Sequence, residues 1–399
     1  MTVEETSQRR SAMVSTMLAG ELNRARVLKT LYAVGPLSRS ELARLTGSTR
    51  ATIGQIVQPL LDQGLLVEHD PVASGAQGGK PPRPIWFSHG GWTVGAMLLL
   101  PEGAQVAIVT AGGQITASAS LSFDLADQDQ AAIAEKLADA IAELTSASKT
   151  PVRGIGIAVG GMVDTDTGTI VRVDLAPWQN GLAIGPLIAE RTGIPAYVDL
   201  QPRAQALGDL LFGQGRSEKS FCSLYIGEGI GAGFIIDGDL YRGARGAGGE
   251  VGHAVVDIHG ERCFCGLDGC WETVASLRWL REAARNRGID DPEAATSASL
   301  SALAASDPVA ATLLEDYARN ISYGIANLQQ TLGTGLFIVH GDPAGGDERF
   351  RKLIEDQVRQ RSFSHPGGDP VVVLADTDDF ATLRGAGSIV LARSLHIEF

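Results

Sequence analysis

Three cysteines and a histidine lie close together in the chain, and their types and spacing are typical of a zinc site. Cys263, Cys265 and Cys270 fall within eight residues, and His253 precedes the first of them by ten residues. Three thiolates and one imidazole complete a tetrahedral shell around Zn²⁺ and leave no position open for water. The pattern therefore predicts a structural zinc ion bound by these four residues, rather than a catalytic one.

Small buried cysteines and a disulfide are the alternative explanations for this cluster. A disulfide would leave one of the three thiols without a partner. The chain has no N-terminal apolar run typical of a signal peptide, and its apolar stretches, such as residues 94–100, are too short to span a bilayer. We therefore expect a cytoplasmic protein with no membrane partner, a setting in which clustered cysteines bind metal more often than they form disulfides.

A longer motif surrounds the metal ligands. Glu-Val-Gly-His begins at Glu250, and Cys-x-Cys-Gly-x-x-Gly-Cys-x-Glu ends at Glu272. This arrangement resembles the ROK family, which comprises repressors, open-reading-frame products and sugar kinases. In that family the zinc segment shapes one wall of a sugar pocket. The resemblance implies that Glu250, His253 and Glu272 bind sugar hydroxyls.

The resemblance also implies the fold of most of the chain. ROK proteins have a two-lobed, actin-like (ribonuclease-H-like) α/β body, and the similarity covers roughly residues 93–395. We expect a body of residues 89–399, with one lobe at about 89–200 plus the C-terminal helix and the other at about 201–380. An apolar strand ending in Gly161 is typical of a buried strand that opens onto a ligand, so this glycine is expected to border the sugar pocket.

The residues needed for phosphoryl transfer are replaced in this chain. That reaction requires a base near the sugar hydroxyl and a cradle for nucleotide phosphates. The Asn-Asp pair of ROK kinases matches Leu200 and Gln201, counted back from Phe212, and a glutamine amide is not a usable base. Met97 and Leu99 replace the Asp and Gly of the family's Gly-x-Asp-x-Gly loop. The sequence therefore predicts no catalytic residues and no enzymatic activity.

The N-terminal part of the chain has a different pattern. Residues 1–18 are polar and aperiodic, and we expect them to be disordered. Residues 19–88 contain three helical segments and two short apolar strands, the order of a winged helix-turn-helix. Residues 19–86 hold eight Lys or Arg and five Asp or Glu, a net charge of +3, which leaves −16 for the rest of a chain whose total is −13. A basic module on an acidic body indicates a nucleic-acid partner.

The third helical segment has an apolar stripe and an opposite polar face. The stripe begins at Ile53 and repeats at helical spacing, so it is expected to be buried while the polar face stays free. A glycine-rich basic loop lies between the two wing strands and can reach phosphates or the minor groove. An ordinary three-helix accessory domain is the alternative. The expected DNA-binding residues are Ser48, Thr49, Arg50, Thr52, Gln55, Lys80 and Arg83.

These features together predict a DNA-binding transcriptional regulator with an inactive sugar-kinase-like body. Its expected partners are operator DNA, a small carbohydrate or sugar phosphate effector, and further copies of the chain in a homodimer or homotetramer, as in other family members. Two alternatives remain. One is a zinc-containing ROK sugar kinase with a DNA-binding arm, and the other is a regulator controlled by a protein partner without sugar binding.

Overall fold

The computed structural model describes residues 16–71, 81–123, 129–363, 367–376 and 380–395. Its elements form an N-terminal helical module and two lobes. Each lobe is built around a five-stranded sheet. The last helix packs against the sheet of the first lobe.

The N-terminal module has three helices followed by a two-stranded hairpin. Its elements are α1 (Thr16–Val34), α2 (Arg39–Thr46), α3 (Arg50–Asp62), β1 (Leu66–Glu68) and β2 (Ile85–Phe87). The two strands pair antiparallel, with Val67 opposite Trp86. The predicted helices and wing strands are confirmed, and their order is that of a winged helix-turn-helix.

Local hydrogen bonds define the ends of these helices. The Ser38 hydroxyl accepts from the backbone N–H of Glu41, and the Glu41 carboxylate accepts from that of Ser38, so a capping box forms at α2. Thr49 caps α3 by accepting from the backbone N–H of Thr52. Gly47 ends α2 with a φ of +67°, a conformation that residues with a Cβ rarely adopt. A side-chain cap at the start of a helix, such as that of Ser38 or Thr49, stabilises the helix by about 0.5–2 kcal/mol.

The first lobe is built around a mixed sheet. It contains β3 (Thr93–Leu100), β4 (Gly103–Thr110), β5 (Ile115–Ser122), α4 (Gln130–Ser146), β6 (Val152–Val159), β7 (Met162–Asp164), β8 (Thr169–Arg172), α5 (Ile184–Thr192) and β9 (Ala196–Leu200). The sheet has the order β5-β4-β3-β6-β9. Strands β3, β4 and β5 form an antiparallel meander. Strand β6 pairs parallel with β3, and β9 pairs parallel with β6. The nearly continuous burial of β3 and β6 is typical of strands covered on both faces.

Helix α6 (Gln201–Leu211) lies between the lobes, and all eleven of its residues are buried. It begins at Gln201, and Pro202 fits the first turn of a helix, where no backbone N–H is needed. The C-terminal helix crosses α6 at a glycine pair. A Cβ on Gly208 would lie 3.1 Å from the Cα of Gly385, and one on Gly385 would lie 2.3 Å from the Ala204 carbonyl oxygen. Gly385 therefore requires glycine, and Gly208 leaves little room for a larger residue.

The second lobe repeats the sheet topology of the first. It contains β10 (Phe221–Ile226), β11 (Ile230–Ile236), β12 (Asp239–Tyr241), α7 (Glu272–Ala275), α8 (Leu277–Asn286), α9 (Ser297–Leu303), α10 (Pro308–Leu332), β13 (Leu336–Gly341), α11 (Glu348–Arg361) and β14 (Val371–Leu374), and α12 (Phe380–Ser394) follows. The order is β12-β11-β10-β13-β14, again with an antiparallel meander and two parallel strands. This duplication is the arrangement that the family resemblance implies.

The N-terminal module packs directly on the body through the end of α1. The Tyr32 ring stacks on Phe87, with centroids 4.0 Å apart, and meets the ring of Phe212 edge-on at 5.7 Å. The Tyr32 hydroxyl donates to the Ala111 carbonyl oxygen (2.8 Å), and Nε of Arg216 donates to the Tyr32 carbonyl oxygen (2.7 Å). Since Phe212 directly follows α6, the end of that helix contacts the module.

Apolar packing is continuous across this junction. Leu28, Leu31, Phe87, Trp92 and Val94 belong to one buried cluster that extends from the module into the first lobe. Burying a large apolar side chain contributes about 1.5–3 kcal/mol, so the cluster holds the module firmly on the body. Within the described part of the chain, no helix combines the length and apolar character needed to cross a membrane.

Candidate functional site

A cleft of about 300 Å³ lies between the two lobes. Its walls come from the ends of β3, β6 and β9, the start of α6, the loop between β10 and β11, and the cysteine-rich segment. Strands β3, β6 and β9 run parallel, so their carboxyl ends meet at the same edge of the sheet. Ligands of α/β proteins bind at such an edge.

The four predicted metal ligands converge beside this cleft. The Sγ atom of Cys263 lies 3.6 Å from Nδ1 of His253, and the Sγ atoms of Cys265 and Cys270 are 3.6 Å apart. The ligand atoms of all four residues lie within 4.8 Å of one another. At usual zinc distances, tetrahedral nitrogen and sulfur ligands are about 3.5–3.8 Å apart. The cluster can therefore hold a metal ion.

The electrostatics of the cluster also favour a bound cation. Burial, together with the neighbouring sulfur atoms of Cys263 and Cys265, raises the pKa of the Cys270 thiol to about 12. Burial likewise raises the pKa of Cys263. Three closely packed thiolates repel one another, but a divalent cation stabilises the deprotonated forms. The donor set thus fits a metal ion that keeps all three sulfurs ionised.

Tight backbone turns bring the ligands together. The N–H of Cys263 donates to the Leu267 carbonyl oxygen (2.8 Å), which closes the turn that carries Cys265. Gly269 adopts a φ of +73°, and a Cβ there would lie 1.6 Å from the Asp257 carbonyl oxygen. Trp271 is buried and its indole N–H donates to the Asn320 carbonyl oxygen (2.9 Å). The segment is therefore anchored in the core of the second lobe.

The residues proposed from the family motif line the cleft together. Glu250, His253, Glu272 and Gly161 all border it. Glu272 is 9% exposed, and its Oε2 accepts from the backbone N–H of Ile230 (3.2 Å). A Cβ on Gly161 would lie 2.5 Å from a carbonyl oxygen on β8, so packing alone requires glycine there. The three polar side chains face one space.

A buried ion pair braces the loop that carries Glu250. Nε of Arg203 lies 2.6 Å from Oδ1 of Asp199, and the same guanidinium donates to the carbonyl oxygens of Gly246 (2.6 Å) and Gly248 (3.0 Å). Burial raises the pKa of Glu250, while the charges of His253 and Arg203 oppose that rise. By joining Asp199 to this loop, Arg203 holds the loop beside the cleft. Removal of either partner would leave an uncompensated buried charge.

The positions that match kinase motifs are apolar or uncharged in the structure. Leu200 and Gln201 border the cleft at the start of α6, and Leu99 borders it at the end of β3. Met97 is fully buried in the first lobe. The end of β3 therefore presents hydrocarbon where a phosphate cradle would need backbone and metal-binding groups.

Sequence reasoning missed several other residues of the cleft. Asp174 and Arg172 border it and form an ion pair of 2.6 Å, and Gln179 borders it from a short 3₁₀ turn. Phe264 is 60% exposed, with the Arg278 guanidinium 4.2 Å above its ring. Arg172, Asp174 and Gln179 belong to no recognisable motif, whereas Phe264 lies inside the Cys-x-Cys motif at a position where the motif allows any residue.

The polar face of α3 is free of the body. Thr49, Arg50 and Gln55 are exposed, while Ser48 and Thr52 are half-buried. The apolar stripe of the helix is buried within the module. The predicted reading face is thus available from the N-terminal half of α3, the half that enters the major groove in helix-turn-helix proteins.

The wing carries a basic side chain that an acidic residue holds in place. Glu68 on β1 bonds to the guanidinium of Arg39 and lies 3.8 Å from that of Arg83. Arg83 remains 56% exposed along its side chain. The second basic residue predicted for the wing, Lys80, lies outside the described residues.

Comparisons with known proteins agree with this architecture. The ROK family model matches residues 102–393. The xylose repressor of Caldicellulosiruptor bescii is 26% identical over 395 residues, covering 95% of this chain and 97% of that protein. A crystal structure of a ROK family transcriptional regulator, a homologue of the E. coli Mlc protein, matches with a TM-score of 0.75 at 26% identity over 95% of this chain and 98% of the other.

A ROK family glucokinase from Streptomyces griseus, solved with glucose and AMPPNP, matches with a TM-score of 0.65 at 26% identity. It covers 74% of this chain and 98% of its own. The regulator thus resembles this chain over nearly its whole length, and the kinase over three quarters of it. With a family model that spans most of the sequence, these matches establish that the chain belongs to the ROK family.

Proposed function

We propose that this protein is a transcriptional regulator that reads operator DNA with its winged helix-turn-helix and senses a small carbohydrate in the cleft between its lobes. One observation carries the proposal. A module with a free, basic reading face is joined by a continuous apolar core to a body whose cleft is lined by carboxylates. The similar repressor and regulator, which match nearly the whole chain, support it.

The cleft supports carbohydrate binding through its polar chemistry. Carboxylate and imidazole groups accept or donate hydrogen bonds at fixed positions, as recognition of hydroxyls requires. Glu250 and Glu272 flank the two ends of the metal segment. We propose that a zinc ion on His253 and the three cysteines fixes their separation before any ligand arrives, which lowers the entropic cost of binding.

We propose that the body has no kinase activity. Gln201 stands where the family's base is expected, and Met97 and Leu99 remove the phosphate loop. The alternative of a kinase with a DNA-binding arm is tested by incubating the protein with ATP and glucose or xylose. Sugar phosphate formed by the purified wild-type protein would contradict our proposal.

Control of DNA binding requires a link between the cleft and the module, and α6 is suited to this role. Gln201 and Pro202 at its start border the cleft, and Phe212 after its end contacts Tyr32 of the module. A ligand shifts the balance between DNA-competent and incompetent arrangements only by its differential affinity for the two. We further propose that the regulator acts as a homodimer or homotetramer, so that its operator is nearly palindromic.

Selection from random duplex DNA, followed by footprinting, tests the proposed function. The full chain should enrich a defined sequence, and a version lacking residues 1–90 should protect none of it. A sugar from a thermal-shift screen should then change the affinity for the selected DNA. Protection by the truncated protein would show that the winged helix is not the reader, and an affinity unchanged by every sugar would favour control by a protein partner.

Arg50 provides a sharper test of DNA reading. It is exposed at the first position of α3, so Arg50→Ala should weaken binding to the selected sequence by about 1–3 kcal/mol and relax specificity at one base pair. Gln58→Ala is the matched control, because Gln58 is also exposed on α3 but lies about 12 Å further along the helix. Binding-site selection and titration with both variants measure the effect. Equal losses in the two variants would exclude a specific role for Arg50.

A further inference from the structure

The side-chain oxygen of Gln179, a residue that borders the cleft, is buried and has no hydrogen-bond donor among the described residues. Gln179 is 1% exposed and borders the cleft. Its Nε2 donates to the Leu100 carbonyl oxygen (3.1 Å), which fixes the orientation of the amide because a reversed amide would place two oxygens together. Among the described residues, none donates to its Oε1. A buried acceptor without a donor is costly, so this site is suited to a ligand that supplies one.

The other polar side chains of the cleft are also mainly acceptors. Asp174, Glu228, Glu250 and Glu272 give it four carboxylates, and Arg172 is the one guanidinium among the described residues that border it. The proposed metal centre adds to the negative charge, because a divalent ion with three thiolates has a net charge of −1. Arginines lie next to Asp174, Glu228 and Glu272, so the excess negative charge of the cleft comes from Glu250 and the proposed metal centre.

The cations near the cleft are already engaged. Arg172 pairs with Asp174, and Arg281 bonds to Glu228 from outside the cleft. Arg278 lies 3.8 Å from Glu272. A phosphate group binds through free guanidinium or ammonium groups, or through several unpaired backbone N–H groups. Each of these arginines would have to break its contact with a carboxylate before it could bind a phosphate group.

Two backbone donors beside the cleft are occupied, and a third position lacks an N–H group. The start of α6 could attract an anion in principle. However, the N–H of Leu200 donates to Oδ1 of Asp199 (2.8 Å), and Pro202 has no N–H. The N–H of Ile230 donates to Glu272. Among the side chains that border the cleft, acceptors thus outnumber free charged donors.

From this imbalance we infer that the cleft binds an uncharged sugar through its hydroxyl donors, one of them directed at Gln179 Oε1, and discriminates against the phosphorylated form of the same sugar. The inference rests on the proposed sensing function and narrows its ligand class. Sugar hydroxyls donate to carboxylates and to the free amide oxygen, whereas a phosphate dianion offers acceptors and negative charge. Like charges brought together in a binding site cost several kcal/mol.

Titration calorimetry on the full-length protein with matched ligand pairs tests this inference. Suitable pairs are glucose with glucose 6-phosphate, xylose with xylose 5-phosphate, and N-acetylglucosamine with its 6-phosphate. For the sugar that binds best, we expect the phosphate ester to bind at least about 100-fold more weakly. Equal or tighter binding of an ester would overturn the inference while leaving a sugar sensor in place. Binding of neither member of any pair would overturn both.

Two pairs of variants connect the result to these residues. Gln179→Met should weaken binding of the neutral sugar by about tenfold, the equivalent of one buried hydrogen bond, whereas Gln205→Met should not. Gln205 is a matched control because it is also buried, with one amide partner and an unpaired Oε1, but it does not border the cleft. Equal losses of affinity in the two variants would remove Gln179 from the binding surface.

Asp174→Asn should release Arg172 from its ion pair. The ratio of the affinity for the neutral sugar to that for its phosphate ester should then fall by at least fivefold. Asp139→Asn is its control, because Asp139 also pairs with an arginine, Arg191, but outside the cleft. A difference in affinity that Asp174→Asn leaves unchanged would show that charge does not cause the discrimination.

Discussion

Cys265→Ser is expected to remove the metal ion and to lower the affinity for sugar by about 10- to 100-fold, a loss similar to that of metal affinity or activity when groups that orient metal ligands are removed. Cys265 is half-buried at the edge of the cleft, and its Sγ lies 3.6 Å from that of Cys270. A serine hydroxyl is a poor ligand for zinc, and the shell would be left with three ligands. Glu250 and Glu272 would then lose the connection that fixes their separation.

The stability of the segment should fall as well. Metal binding and folding are coupled, because the ligand atoms come together only in the folded chain. Without the cation, the thiols must protonate, and Cys270 already has a pKa raised to about 12. We therefore expect faster hydrogen exchange in residues 250–272 of the metal-free protein, while the helices around the Trp271 indole remain protected.

A fourth cysteine supplies the control for this experiment. Cys222 is fully buried on β10 and does not belong to the cluster. Cys222→Ala should keep one zinc ion per chain and bind sugar normally, although it loses some packing. Elemental analysis, thermal melts and titration calorimetry measure the three quantities. A Cys265→Ser protein with a full complement of zinc, or a metal-free protein with unchanged sugar affinity, would show that the cluster does not organise the cleft.

The sequence predicts the parts of this structure that depend on neighbouring residues. The capping box of Ser38 and Glu41 and the apolar stripe starting at Ile53 are local patterns, and both helices form where expected. The metal cluster has the same character, because His253 and Cys270 are separated by a short segment. The two-lobed body, in contrast, was expected from the family motif and not from any single stretch.

The remaining features depend on contacts between distant segments. Gln179 borders the cleft because a 3₁₀ turn places its amide against β3, and nothing in its neighbouring residues indicates a binding role. Arg203 lies in a helix whose pattern predicts ordinary packing, yet it joins Asp199 to a loop more than forty residues away. Tyr32 likewise has the apolar spacing of a core residue, and only the structure reveals its contact with Phe212.

The contact between α1 and the residues after α6 leads to the second large expected effect. Arg216→Ala should leave sugar affinity nearly unchanged but remove most of the effect of sugar on DNA binding. Arg216 holds the Tyr32 carbonyl oxygen at 2.7 Å, and its guanidinium lies 5.8 Å from the centre of the Trp86 ring in the wing. It does not border the cleft. The substitution therefore acts on the connection and not on the sugar site.

The size of the effect follows from linkage. Coupling between two sites in a regulator is typically about 1–3 kcal/mol, so a sugar changes DNA affinity by about 5- to 150-fold. Arg216→Ala should reduce this factor to about threefold or less, because it removes the hydrogen bond and the cation–ring contact that join the segment after α6 to the module. Arg191→Ala is the control, since Arg191 forms an exposed ion pair with Asp139 between α5 and α4, whose buried residues belong to a different apolar cluster from that of Tyr32.

Linkage also provides an internal check on this prediction. The factor by which sugar changes DNA affinity must equal the factor by which DNA changes sugar affinity. Both can be measured, by fluorescence anisotropy with labelled operator and by calorimetry of sugar with and without DNA, in the wild type, Arg216→Ala and Arg191→Ala. If the two factors agree in every protein and fall together only in Arg216→Ala, the junction transmits the signal. Full coupling in Arg216→Ala would mean that sugar reaches the DNA-binding module by a route that does not include this contact.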